Sequence, residues 1–107
     1  MASYRVEITG QVRKELRHLP GNMRQRVFRT LQALQHEPRP HHSRLLDIGK
    51  VDLELALGME AYRIRIASWR IVYVIEEEIE LISVLAIRKR PPYQYDDLAD
   101  LLKNVQP

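Results

Sequence analysis

Between Tyr62 and Tyr73 the chain reads YRIRIASWRIVY, two runs in which apolar residues alternate with arginines on either side of Ala67 and Ser68. Alternation with period two is the pattern of strands that bury one face, so this stretch predicts a β-hairpin. With a two-residue turn at Ala67-Ser68, Tyr62, Ile64 and Ile66 share a face with Trp69, Ile71 and Tyr73. Arg63, Arg65 and Arg70 take the other face, and Arg65 stands opposite Arg70. Like charges opposed across an antiparallel pair cost a few tenths to about 1 kcal/mol, a cost that an anion bound between them would reverse. Ala-Ser lacks the glycine or asparagine favoured in tight hairpin turns. A longer loop would stagger the two arginines, and an even slip would still leave them neighbours on one face.

At 107 residues the chain predicts one small domain spanning residues 1–107, with a single core. It has no cysteine, which excludes disulfides and thiolate metal sites and suits a reducing cytosol. No apolar run approaches the roughly 20 residues of a membrane span, and the amino terminus reads as a polar strand rather than a signal segment. A cytoplasmic protein without membrane contact is expected. The net charge of +3 is unevenly placed, with ten Lys or Arg against four acids in residues 1–50. The acids gather at Glu76, Glu77, Glu78 and Glu80, and again at Asp96, Asp97 and Asp100. Such separation suits a nucleic-acid face or an acidic partner, although a basic helix surface is more often simply solvated.

Tyr4 to Ile8 alternates as a first strand, with Thr9 placed to cap a helix. Val12, Leu16 and Leu19 mark that helix, and Pro20-Gly21 stops it. Met23, Val27, Leu31 and Leu34, with Phe28 beside them, mark a second helix that returns antiparallel to the first. Glu37 to Ser43 holds two prolines separated by one residue and reads as a solvated loop. His41 and His42 lie in it, and adjacent histidines with no completing cluster do not make a metal site. Val51 to Leu57 is a further strand candidate. After the acidic turn Glu76 to Glu78, Ile79 to Ile87 is apolar on nearly both faces, as in a strand buried within a sheet. A short last helix from Asp96 carries Leu98, Leu101, Leu102 and Val105. The order predicts an α+β fold, a twisted antiparallel sheet with an αα-hairpin and a short carboxy-terminal helix.

Neighbouring antiparallel strands would bring Arg63, Arg65 and Arg70 close to the strand end Arg88-Lys89-Arg90. Guanidinium groups match phosphate oxygens bidentately, and Trp69, Tyr93 and Tyr95 offer rings for stacking on bases. Trp69, Tyr62 and Tyr73 fit the core under the hairpin better. Tyr93 and Tyr95 follow Pro91-Pro92, where no pattern asks for large buried side chains.

YRIRIASWRIVYVI followed by LISVLAIRKRPPY, after helices containing KELRHLP and LQALQHEP, resembles the RelE/ParE superfamily of bacterial type II toxins from Tyr4 to about Leu102. The resemblance implies the two helices on one sheet face, a basic concave surface on the other, and a cognate antitoxin. Operator DNA would be reached only through the antitoxin complex. Members of the RelE branch are metal-independent ribonucleases that cut messenger RNA in the ribosomal A site, causing translation inhibition and growth arrest. Carried over, the resemblance implies catalytic roles for Arg63, Arg65, Arg70 and Arg90, with Tyr93 or Tyr95 standing for the carboxy-terminal tyrosine. Tyr93 is favoured, because Pro91-Pro92 holds it stiffly beside the basic strand end, whereas Tyr95 precedes the last helix. RNA contacts are expected from Arg88, Lys89 and Tyr95. No metal or other cofactor is expected.

The implied chemistry is attack of a ribose 2′-hydroxyl on the adjacent phosphate. Arginines stabilise the transition-state charge well but are poor bases, and lysines occupy the positions of Arg63 and Arg65 in the best-known members. The four histidines all precede the hairpin and offer no ready replacement. The alternatives are a ParE-like inhibitor of DNA gyrase and a catalytically silent module that binds antitoxin and operator.

Overall fold

The computed structural model describes residues 3–46 and 58–89. In chain order these form β1 (Arg5–Ile8), α1 (Gly10–Arg17), α2 (Gly21–Leu34), β2 (Ser43–Leu45), β3 (Met59–Ile66), β4 (Trp69–Glu76) and β5 (Leu81–Lys89). A 3-10 turn at Glu77–Ile79 joins the last two strands. The strand expected over residues 51–57 and the helix expected from residue 96 lie outside the described residues.

Thr9 accepts a hydrogen bond from the Val12 amide at 3.1 Å, capping α1 as its side chain predicts. The other end of α1 is closed from α2: the Arg24 guanidinium donates to the carbonyls of Leu16, Arg17 and Leu19 at 3.1 to 3.2 Å. One side chain thus bonds three carbonyls at a helix end, where intrahelical donors run out, and shares that of Leu16 with the Leu19 amide. Val12, Leu19, Met23, Val27, Leu31 and Leu34 are buried, and Leu16 packs against them. Phe28 is turned outward and 56% exposed, so it does not belong to the seam.

The strands form a sheet in the order β1-β5-β4-β3-β2. It is antiparallel except at β1, which pairs parallel to β5 with Arg5 beside Leu81 and Ile8 beside Val84. Alternation alone does not give strand direction; the helical hairpin returns the chain to the far side of the sheet before β2. β5 lies between β1 and β4, and its residues Leu81 to Ile87 are all buried, as an apolar strand within a sheet requires. The strand begins at Leu81 rather than Ile79, because Glu80 takes a left-handed conformation (φ 51°) that ends the turn.

β3 and β4 pair from Ile66 with Trp69, and Arg65 faces Arg70, which is the register expected from the two-residue turn. Ala67 supplies the turn at φ 53°, a left-handed geometry that costs an alanine roughly 1 to 2 kcal/mol. The helices cover the face carrying Ile64, Ile71 and Ile87, which pair in one row across three strands at 0 to 2% exposure. Tyr62 and Trp69 pack against the same core, and Tyr73 lies fully within it.

The loop before β2 is exposed over most of its length, as expected, and is also tied down. Arg39 donates to Glu60 at 2.7 Å, to Glu77 at 2.8 Å and to the Tyr62 hydroxyl at 3.1 Å, with its guanidinium 5.6 Å from the Tyr62 ring centroid. The Tyr4 hydroxyl donates to Glu77, which raises the Tyr4 pKa; this bond, with Arg39, holds the Glu77 carboxyl below its usual range. Tyr73 donates its hydroxyl to the Pro38 carbonyl at 2.8 Å. Burial pushes the Tyr73 phenol from 10.0 up to about 12. Above pH 10 the unfolded chain loses this proton while the folded chain keeps it, so the protection that burial gives is present below pH 10 and lost as pH rises towards 12. Denaturant unfolding across that window is expected to show falling stability in the wild type and a shallower fall in Tyr73→Phe.

Candidate nucleic-acid interface

The sheet face turned away from the helices is divided along its length. Ala61, Val74 and Ser83 pair in one row and are buried, and Val72 and Ala86 in the next row are also buried. Towards the hairpin turn the side chains become basic. Arg63 lies opposite Val72 on one side and Arg44 on the other. Arg65, Arg70 and Arg88 pair in a single row across β3, β4 and β5. The basic surface is therefore a patch at one end of the face, and the buried Ala61, Val72, Val74 and Ala86 adjoin it.

A β-bulge puts Arg88 in that row. Val72 pairs with Ala86 but Tyr73 pairs with Val84, leaving Leu85 as an extra residue in β5. Side chains alternate strictly along a regular strand, so without the extra residue Arg88 would share the core face of Ile82 and Val84. The bulge reverses the phase and sends Ile87 into the core and Arg88 to the basic face. The patch depends on this irregularity as much as on the arginines themselves.

Arg88 is also held from the side. β1 covers β5 only as far as Val84, and beyond it Glu15 of α1 accepts the Ile87 amide at 3.1 Å. The second oxygen of Glu15 lies 3.7 Å from the Arg88 Nε, with side chains 18% and 21% exposed. This contact fixes the base of Arg88 and offsets part of its charge. Arg63 and Arg70 are half-buried, whereas Arg65 is exposed.

Next to the row a cavity of about 240 Å³ is lined by His42, Arg44, Arg63 and Arg65. Neither His42 nor Arg44 was expected at the site. They arrive because β2 pairs with β3, placing Arg44 beside Arg63 and Ser43 beside Ile64. The Arg44 guanidinium donates to the carbonyls of His41 and Ser43 at 2.9 Å, bracing the short strand. A basic residue near the end of a Pro-rich loop was the available sequence signal, and three residues are too few for alternation to declare a strand. His42 is distant in sequence from Arg63 but borders the same cavity.

Among the sequence-predicted residues, Arg63, Arg65, Arg70 and Arg88 come together on one face. Lys89 is exposed and pairs with Trp69, on the strand face opposite to theirs. Trp69 packs on the helical side, which removes it from base stacking at the patch. Arg90, Tyr93 and Tyr95 lie outside the described residues. A guanidinium row with an adjoining basic cavity can hold successive phosphates by charge and by paired hydrogen bonds.

Comparison with known proteins places this geometry in a family. The RelE–RelB complex from Pyrococcus horikoshii OT3 contains a chain 26% identical to this one, superposing with a TM-score of 0.72 over 85% of this chain and 99% of that chain. The RelBE2 toxin–antitoxin complex from Mycobacterium tuberculosis gives 26% identity and a TM-score of 0.63, covering 82% of this chain and 99% of that chain. The isolated E. coli RelE toxin, 17% identical with a TM-score of 0.60, shares the fold over 97% of this chain and 100% of its own. No curated protein matches in sequence. The family model for the ParE toxin of type II toxin–antitoxin systems matches residues 6–91. The chain therefore belongs to the ParE toxin family of the RelE/ParE superfamily and is a toxin of a type II toxin–antitoxin system.

Proposed function

We propose that this toxin acts by ribosome-dependent endonucleolytic cleavage of messenger RNA and thereby arrests translation and growth. The observation that carries the reading is the row Arg65, Arg70 and Arg88 with Arg63 beside it, because guanidinium groups gathered on one face can hold successive phosphates by charge and paired hydrogen bonds. The reaction joins the ribose 2′-oxygen to phosphorus as the bond from phosphorus to the 5′-oxygen breaks. It needs a proton removed, charge on the phosphoryl oxygens stabilised and the departing oxygen protonated. Arg63, Arg65, Arg70 and Arg90 stabilise the charge. Arg88 contributes to RNA binding. The reaction requires no metal, and the protein works in the cytoplasm.

Tyr93 is the functional ring, with Tyr95 as a further RNA contact. Tyr93→Phe is expected to lower the cleavage rate strongly if the hydroxyl transfers a proton. An unchanged rate with a further loss in Tyr93→Ala assigns the ring to stacking, and no effect in either moves the role to Tyr95.

A cognate antitoxin is the partner that holds the toxin inactive, as the antitoxin-bound relatives suggest. Its binding segment is acidic overall and neutralises the patch, and operator DNA is contacted only through that complex. The family match to ParE favours a second reading, inhibition of DNA gyrase without RNA cleavage. Induced expression with messenger ends mapped separates the two. Cuts in frame within translated codons support the nuclease, whereas DNA breaks with intact messengers support the gyrase inhibitor.

A further inference from the structure

We propose that His42 is the proton acceptor for phosphodiester cleavage at the Arg63 and Arg65 site. The inference rests on the nuclease reading and names a residue for the step that the arginines cannot perform. A guanidinium stays protonated in proteins and cannot take a proton from a hydroxyl. Three of the four described residues lining the cavity beside the row are arginines; the fourth is His42, whose neutral imidazole carries a nitrogen that can accept a proton.

The approach of His42 is built by the fold. Its chain neighbour Ser43 is held by the backbone pairing of β2 with β3, and both the amide and the hydroxyl of Ser43 donate to the Pro40 carbonyl, at 2.8 and 2.6 Å. Pro38 and Arg39 are anchored to Tyr73, Glu60 and Glu77. The exposed imidazole is thus carried on a loop fastened at both ends. The charged groups around it are Arg44, Arg63 and Arg65 in the cavity, with Arg29 and Glu37 lining a groove on its other side. The His41 ring stands edge-on at 5.5 Å between centroids. A phosphodiester drawn to Arg63 and Arg65 brings its neighbouring 2′-hydroxyl within the same cavity. As the 2′-oxygen bonds to phosphorus, its proton passes to the neutral imidazole; the departing 5′-oxygen takes a proton from solvent.

The test uses the purified full-length toxin, ribosomes carrying a messenger, and single-turnover cleavage rates between about pH 5 and 9. Wild type is expected to speed up with pH through the imidazole range and then level off. His42→Gln should cut about 10²- to 10⁴-fold more slowly on the plateau, lose that rising limb, and keep its affinity for the programmed ribosome. Cleavage by His42→Gln at the wild-type rate and with the same rising limb overturns the assignment alone. So does an equal loss at every pH accompanied by weaker binding, which makes His42 a phosphate contact. Absence of cleavage by wild type overturns both this assignment and the nuclease reading.

Discussion

Arg70→Ala is expected to abolish growth arrest while the protein continues to fold. Arg70 is the middle member of the arginine row, opposite Arg65 in β3 and Arg88 in β5, and no other residue of the row has an arginine on both sides. A phosphate held by the row meets its densest positive charge there. Removing one preorganised group that stabilises transition-state charge typically costs about 10²- to 10³-fold in rate. Arg70 is absent from the hydrophobic core, so its truncation to alanine leaves the packed apolar residues in place. Circular dichroism and thermal unfolding check the fold, and induction in growing cells checks toxicity. A folded Arg70→Ala protein with full toxicity would remove the row from the site.

The opposite outcome is expected one position along. Ile71 is fully buried, with Ile64 and Ile87 as its cross-strand neighbours, and its side chain points from the central part of the sheet towards the helices. Ile71→Ala leaves a void that neither strand can close without moving, for an expected cost of about 2 to 5 kcal/mol. In a domain of this size that lowers the unfolding midpoint by at least about 10 °C. Toxicity should fall with the amount of folded protein, and the variant should regain it on cooling. Adjacent residues of one strand thus separate chemistry from stability, because successive side chains point to opposite faces. A thermal midpoint within a few degrees of wild type would show that the isoleucine row does not carry the core.

The hairpin register was readable because two signals agreed: period-two alternation ran unbroken from Tyr62 to Tyr73, and the apolar set stayed on one face when two residues were assigned to the turn. Thr9 and the helix seams were readable for a similar reason, since their determinants lie within a few residues of one another. The bulge at Leu85 was not, because IELISVLAI is apolar at nearly every position and its phase is determined only by partners in β4. Phe28 looked like a core residue by type, but its position beside the stripe, rather than on it, turned it to solvent. His42 and Arg44 escaped notice because their place depends on a three-residue pairing with a strand far along the chain.

The parallel pairing of β1 with β5 has a consequence for when the protein becomes active. Arg5 to Ile8 are made long before their partners Leu81 to Val84. Contacts so distant in sequence slow folding, because much of the chain must be brought together before they stabilise it. The third arginine of the row, Arg88, follows those partners on the same strand. A nascent chain or a prematurely terminated fragment therefore has a helical hairpin and at most part of a sheet, and cannot display the full row. Synthesis through Arg88 is built into the architecture as a condition for harm, so a ribosome must pass that codon before the toxin can assemble its arginine row.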